Sequence, residues 1–113
     1  MAVSSIRYQL IVSIELCSHS KFVLHELSKG YYQHELQVIN VNRNDKGYSR
    51  EKYMDIDMKE VHTDFFSKNQ IWYIPIIIDL ETGYRIRGKE KSIDFVRQHY
   101  PPISNIKPSL RVK

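Results

Sequence analysis

Apolar residues form two strand-sized blocks in the first third of the chain, with an amphipathic segment between them. Residues 8–16 are mostly apolar, which is typical of a central strand that is covered on both faces. Residues 36–42 are rich in β-branched side chains and predict a second strand. The segment between them predicts a helix that begins after Ser18 or Ser20 and ends at Gly30. Its apolar face is formed by Phe22, Val23, Leu24 and Leu27.

The chain changes in character after the second predicted strand. Residues 43–57 are polar and rich in turn-forming residues, so they predict a long loop or an insertion. In residues 58–69, by contrast, the large apolar side chains are spaced like the buried face of one helix. These side chains are Val61, Phe65 and Phe66.

The last third of the chain predicts a hairpin and a helix. Residues 74–80 are apolar except for Asp79 and predict a buried strand. Residues 81–83 predict a tight turn, and the alternating residues 84–87 predict a strand that pairs antiparallel, because a parallel partner needs a much longer connection. Residues 92–99 have helical spacing, and the two prolines that follow end the predicted helix.

The predicted order is therefore β-α-β-α-β-β-α, an α/β fold with a mixed sheet of four strands. The first two strands should be parallel, because a strand-helix-strand unit makes a right-handed crossover. With 113 residues the chain is long enough for one domain and too short for two. We assign residues 1–100 to that domain and residues 101–113 to a basic C-terminal tail.

Composition narrows the functional classes. A single cysteine excludes an intramolecular disulfide and favours a reducing compartment, so we expect a cytoplasmic protein. No apolar stretch has the length of a signal peptide or a membrane span, and we expect no membrane association. The net charge of +4 comes from interleaved acidic and basic residues, as on a solvated surface. Nucleic-acid binding remains an alternative, based on Arg85, Arg87 and the tail residues Lys107, Arg111 and Lys113.

The single cysteine, Cys17, stands where the first strand should end and the first helix begin. Backbone amides at the start of a helix favour the thiolate, which is the nucleophile in disulfide exchange. Far along the chain, Ile74-Pro75 stands at the front of another buried strand. A lone cysteine beside an apolar strand is as often an inert hydrophobic residue, so both interpretations of Cys17 stay open.

With this cysteine and this proline in place, the predicted topology resembles the thioredoxin fold. Its short N-terminal strand resembles that of the glutaredoxin-like branch of this fold. The resemblance covers residues 6–100. Its motifs are Cys17-Ser18-His19-Ser20-Lys21, which matches the C-x-x-S form of the active-site motif plus lysine, and Ile74-Pro75. The resemblance implies a three-layer thioredoxin-like fold with a cis peptide bond before Pro75.

By this resemblance Cys17 is the nucleophile and Ser20 takes the place of the resolving thiol. Because a serine cannot resolve a mixed disulfide, exchange would stop at one sulfur and need a second thiol for release. The implied activity is monothiol thiol-disulfide exchange or deglutathionylation of a protein partner, with glutathione as a possible co-substrate. We expect no other cofactor and no metal site, since the histidines show no ligand spacing.

The resemblance also implies a binding surface around Cys17. Lys21, and His19 when it is protonated, would add positive charge close to the thiol. The backbone of Ile74, held by Pro75, would form strand-like hydrogen bonds with a bound peptide or with glutathione.

A second hypothesis is a thioredoxin-fold binding or structural protein that has lost catalysis. Ile14 and the run Lys89-Glu90-Lys91 depart from positions through which many glutaredoxins contact glutathione. In this hypothesis a rim formed by Trp72, Tyr73 and Pro75, or the long loop, or the basic tail, docks a protein partner. The sequence leaves the oligomeric state and the identity of the partner open.

Overall fold

The computed structural model of the chain describes residues 6–30, 35–43 and 56–102, and within them five strands form one mixed sheet. The strands are β1 (Tyr8–Val12), β2 (Leu36–Asn42), β3 (Lys59–His62), β4 (Ile76–Asp79) and β5 (Arg85–Arg87). Their order across the sheet is β3-β2-β1-β4-β5. β1, β2 and β3 are parallel to one another, whereas β4 is antiparallel to both β1 and β5. The predicted pairing of the first two strands and of the hairpin is thereby confirmed.

Three helices among the described residues cover the two faces of this sheet. They are α1 (His19–Ser28), α2 (Asp64–Lys68) and α3 (Lys89–His99). Because side chains alternate along a strand, β1 sends Leu10 and Val12 to the apolar cluster that contains α1 and α3. Ile11 faces the opposite cluster, against which α2 packs. The fold is therefore α/β with three layers, and β1 is the buried central strand that its apolar sequence predicts.

The prediction of four strands was wrong, and so was the prediction of one helix over residues 58–69. That segment forms β3, which pairs with β2, and then the short helix α2. Val61 of β3 and Phe65 and Phe66 of α2 all pack against the same apolar cluster. A strand followed by one helical turn thus buries the same three side chains as the predicted helix, so their spacing did not distinguish the two structures.

Three element boundaries differ from the prediction by two residues or more. β1 ends at Val12 instead of residue 16, because the chain turns after Ser13 and the Cys17 amide donates to the Ser13 carbonyl (3.0 Å). β4 begins only after Pro75, which has no amide hydrogen to donate to a neighbouring strand. α3 begins three residues early, directly after Gly88, whose φ of 97° is left-handed.

The end of the described chain returns to the end of α1, where Gly30 and Pro102 form an isolated antiparallel bridge. Ile56, at the end of the predicted 43–57 loop, is 1% exposed and belongs to the cluster under α1 and α3. Residues 44–55 of that loop and residues 103–113 of the predicted tail lie outside the described residues. None of the described helices combines the length and apolar character needed to cross a membrane.

Candidate functional site

The loop between β1 and α1 carries Cys17 to the start of the helix. Ser18 occupies the N-cap position, and the Ser20 amide donates to the Cys17 carbonyl (3.1 Å), so Cys17 lies just before the first helical turn. The thiol is free and the residue is partly buried. The strand-to-helix junction predicted for Cys17 is therefore present, although four residues of loop separate it from the end of β1.

Cys17 meets the segment before β4, which is remote in sequence. Its Sγ lies 3.8 Å from the carbonyl oxygen of Ile74, at the distance of a weak hydrogen bond donated by the thiol. The peptide bond between Ile74 and Pro75 is cis, as the resemblance implies. Pro75 is buried, and its carbonyl accepts the Gly88 amide (2.9 Å) at the start of α3. The structure thus places the thiol, the proline bend and the beginnings of α1 and α3 together.

Ser20 lies beneath the loop and away from solvent. Its side chain is completely buried, and Oγ accepts the Ser13 amide (3.0 Å) where β1 ends. The hydroxyl therefore joins the first turn of α1 to the end of β1. This buried hydrogen bond supports the loop that carries Cys17 from inside the fold.

His19 and Lys21 are exposed on the first turn of α1. In the part of the chain that the structure describes, neither side chain is in an ion pair. Nearby, the Lys89 ammonium at the start of α3 lies 4.7 Å from the centre of the exposed Phe22 ring, a cation–π contact between the two helices. The exposed surface at the start of α1 is consequently both cationic and apolar.

On the other side of the thiol the surface is aromatic. Trp72 is 79% exposed and Tyr73 is 58% exposed, a large fraction for such side chains. Together with Phe66, Ile71 and Ile74 they line an open groove of about 320 Å³. Ile74 lines this groove and its carbonyl contacts Cys17, so the thiol lies next to the groove.

A buried polar network below the loop was missed by the sequence analysis. Ser13 Oγ donates to the Val41 carbonyl (2.7 Å) and accepts the Leu16 amide (3.0 Å). Asn40 Oδ1 accepts the Ile14 amide (3.0 Å). These bonds satisfy backbone groups of a loop that has left the sheet, as burial requires.

The same network continues to the edge of the sheet. The side-chain amides of Asn40 and Asn42 both donate to Oε1 of Glu60 on β3, at 2.9 and 2.6 Å. The sequence signal was available, since two asparagines interrupt the apolar run of β2. Their partner could not be recognised, because Glu60 comes close only through the unpredicted pairing of β2 with β3.

Ion pairs elsewhere in the fold shift the pKa values of two carboxyl groups. Hydrogen bonding from Arg7 is the main cause that lowers the pKa of Asp79 to about 2. Hydrogen bonding from Arg97 on α3 likewise lowers the pKa of the buried Glu26 on α1. Both pairs join segments distant in sequence, so they stabilise the scaffold that presents the site.

The arginines on which the nucleic-acid alternative depends provide little binding geometry in the described part of the chain. The Arg85 guanidinium donates to the carbonyl oxygens of Asn69 (2.8 Å) and Gln70 (2.6 Å), so it caps the end of α2. Arg87 is exposed, and the basic residues of the tail lie outside the described chain. Within the described ranges, no group of three or more histidine, cysteine or acidic residues is arranged to hold a metal ion.

Comparisons of the chain with protein-family models, with curated proteins and with solved structures gave no match. The functional interpretation therefore rests on the site. Its distinctive parts are a free thiol at the start of α1, the Ile74 carbonyl and cis Pro75 beside it, and an aromatic groove that continues from them.

Proposed function

We propose that this protein is a glutaredoxin-like member of the thioredoxin-fold superfamily that carries out monothiol thiol-disulfide exchange through Cys17. The observation that carries the proposal is the contact between the Cys17 thiol and the Ile74 carbonyl beside cis Pro75. The resemblance in sequence rests on two motifs 57 positions apart, and the contact supports it because the two motifs meet.

The exchange requires two substitutions at sulfur. The Cys17 thiolate attacks one sulfur of a partner disulfide, a bond forms between these sulfurs, and the other partner sulfur leaves as a thiolate that takes up a proton. A second thiol, such as glutathione, then attacks the partner sulfur of the mixed disulfide, forms a new disulfide with it and releases the Cys17 thiolate. Electrons pass from the one incoming thiol to the partner sulfur that left in the first step, the incoming thiol gives up a proton as that sulfur takes one up, and the protein is unchanged.

The neighbouring residues have separate roles in this proposal. The backbone of Ile74, held by Pro75, pairs with an extended segment that carries the disulfide. Lys21, and His19 when it is protonated, present positive charge to an incoming thiolate or carboxylate. Ser20 holds the loop from below and provides no second thiol, so the mixed disulfide persists until an external thiol arrives. A reducing compartment such as the cytosol supplies that thiol.

Trapping the mixed disulfide tests the proposal. The full chain is mixed with a peptide joined to glutathione by a disulfide, the reaction is quenched with acid, and intact mass is measured. We expect one adduct per chain, located at Cys17 by peptide mapping and removed by added glutathione, and no adduct on Cys17→Ser. A wild-type chain that remains unmodified under conditions in which a free cysteine peptide reacts would refute the exchange activity.

A second candidate, favoured by the exposure of Trp72 and Tyr73, is a docking protein that binds a partner without chemistry. The groove beside these aromatics has the apolar character of a protein-binding surface. A pull-down distinguishes the two functions when the recovery of one partner is compared between wild type and two variants. Docking alone requires Cys17→Ser to retain binding and Trp72→Ala to lose it, whereas exchange requires Cys17→Ser to lose the covalent complex.

A further inference from the structure

The side chain of Asn40 connects the edge of the sheet to the loop that carries Cys17. Asn40 is 2% exposed, and its two polar atoms have different partners. Oδ1 accepts the Ile14 amide (3.0 Å), and Nδ2 donates to Glu60 (2.9 Å). These partners fix the amide's orientation, because the backbone amide needs an acceptor and the carboxylate needs a donor.

We propose that Asn40 is a positioning residue for Cys17, an inference that rests on the proposed exchange activity. Ile14 lies three residues before Cys17, in the turn that leaves β1. Asn40 holds the first residue of this turn, while Ser13 Oγ holds Leu16 at its other end (3.0 Å). With both ends fixed, the thiol stays beside the Ile74 carbonyl, where a paired disulfide would meet it.

The physical reason is that an attacking atom must be held within a narrow range of positions. A displacement of about 1 Å can lower a reaction rate by two orders of magnitude. Loss of the Asn40 acceptor frees the Ile14 amide and lets the turn move. A paired peptide disulfide then meets a displaced thiol, whereas a small alkylating reagent needs only an accessible thiol.

Asn42 provides a matched control two residues further along β2. It is 3% exposed and donates to the same Glu60 oxygen (2.6 Å). Among the described contacts, its side chain forms no bond to the residue 13–17 loop. Removing either asparagine therefore costs one part-buried hydrogen bond to Glu60, but only Asn40 also holds the loop.

The experiment compares wild type, Asn40→Leu and Asn42→Leu in the full chain. Two rates are measured for each: exchange with a peptide–glutathione disulfide and alkylation by iodoacetamide. The ratio of exchange to alkylation should fall about tenfold in Asn40→Leu and stay within about twofold in Asn42→Leu. Hydrogen exchange at the Ile14 amide should accelerate only in Asn40→Leu.

The possible outcomes separate this inference from the proposed function. A wild-type chain that does not exchange refutes the proposed function, and the role of Asn40 with it. A wild type that exchanges, with equal ratios in the two asparagine variants, refutes the positioning role alone. If Asn40→Leu does not fold, Asn40→Ser replaces it, because the shorter side chain no longer reaches Ile14 and the same fall in the ratio is expected.

Discussion

The Sγ atom of Cys17 lies 3.8 Å from the carbonyl oxygen of Ile74, a residue 57 positions further along the chain. One partner ends the loop after β1 and the other precedes β4, and these two strands are neighbours at the centre of the sheet. The contact therefore depends on the fold as a whole. It brings together a free thiol, the cis Ile74-Pro75 bend and an aromatic groove.

The first prediction concerns the buried hydroxyl of Ser20. Replacing Ser20 by alanine leaves the Ser13 amide without its acceptor in a buried position, so we expect a loss of about 1–2 kcal/mol in the free energy of unfolding. Ser18→Ala is the matched control, because Ser18 is exposed and makes no side-chain capping bond. Urea denaturation monitored by circular dichroism measures the free energy of unfolding of both variants. Equal losses in Ser20→Ala and Ser18→Ala would contradict the supporting role of Ser20.

The second prediction concerns the pH dependence of the Arg7–Asp79 pair. The pKa of Asp79 is lowered from 3.8 to about 2 by the Arg7 hydrogen bonds, so the folded state favours its charged form. This contribution is present above the unfolded pKa of about 3.9 and is lost as pH falls through the folded value near 2. The difference in melting temperature between wild type and Asp79→Asn should be largest above pH 4 and shrink toward pH 2. A difference in melting temperature that does not change with pH would contradict the proposed contribution of the Arg7–Asp79 ion pair to stability.

The third prediction concerns Gly30, where the end of the described chain returns to α1. A Cβ atom on Gly30 would overlap the carbonyl oxygens of Tyr100 and Pro101, which are rigid backbone atoms. We expect Gly30→Ala to destabilise the fold by about 2–3 kcal/mol, since the backbone must move.

The comparison for Gly30 is Gly83 in the hairpin turn. There a Cβ meets nothing within 4 Å, and only the left-handed φ of 82° opposes alanine. Gly83→Ala should therefore cost about 1 kcal/mol. Thermal and chemical unfolding measure the stability lost in each variant, and we expect the larger loss for Gly30→Ala. A larger loss for Gly83→Ala would show that the close approach of Gly30 to the carbonyls of residues 100 and 101 is unimportant.

The fourth prediction concerns the aromatic groove. Trp72 is 79% exposed, so Trp72→Ala should change the free energy of unfolding by less than about 0.5 kcal/mol. If partners use the groove, the same change should slow exchange with a peptide disulfide about five- to tenfold, as for an interface hot spot. Tyr84→Ala is the control, because Tyr84 is 68% exposed but lies at the hairpin turn, outside the groove. Similar rates for Trp72→Ala and Tyr84→Ala would exclude the groove from partner binding.

Local patterns predicted the parts of the fold that local forces determine. The strand at Leu36–Asn42 has the predicted bounds, because its β-branched side chains favour a strand over a helix. The segment around Val61 and Phe65 was misassigned, because a strand and a short helix bury the same side chains as one longer helix. Only the parallel pairing of β3 with β2 decides between these structures, and that pairing is not encoded in local spacing.

The site likewise has parts that the local sequence predicts and parts that depend on how the strands pair. The position of Cys17 at a strand-to-helix junction follows from the apolar pattern, whereas its proximity to Ile74 was expected only through the resemblance to thioredoxin-fold proteins. The sequence also shows Asn40 interrupting an apolar strand. It does not show that this side chain reaches Ile14 on one side and Glu60 on the other, since both contacts depend on how the strands pair.

Turnover of a mixed disulfide tests the proposed exchange most directly. The full chain at catalytic concentration is added to a peptide–glutathione disulfide with excess glutathione, and release of the free peptide thiol is followed over time, with Cys17→Ser as the control. We predict that wild type accelerates release in proportion to its concentration and that Cys17→Ser releases peptide at the uncatalysed rate. Equal rates for wild type, Cys17→Ser and buffer would contradict the proposed exchange at Cys17.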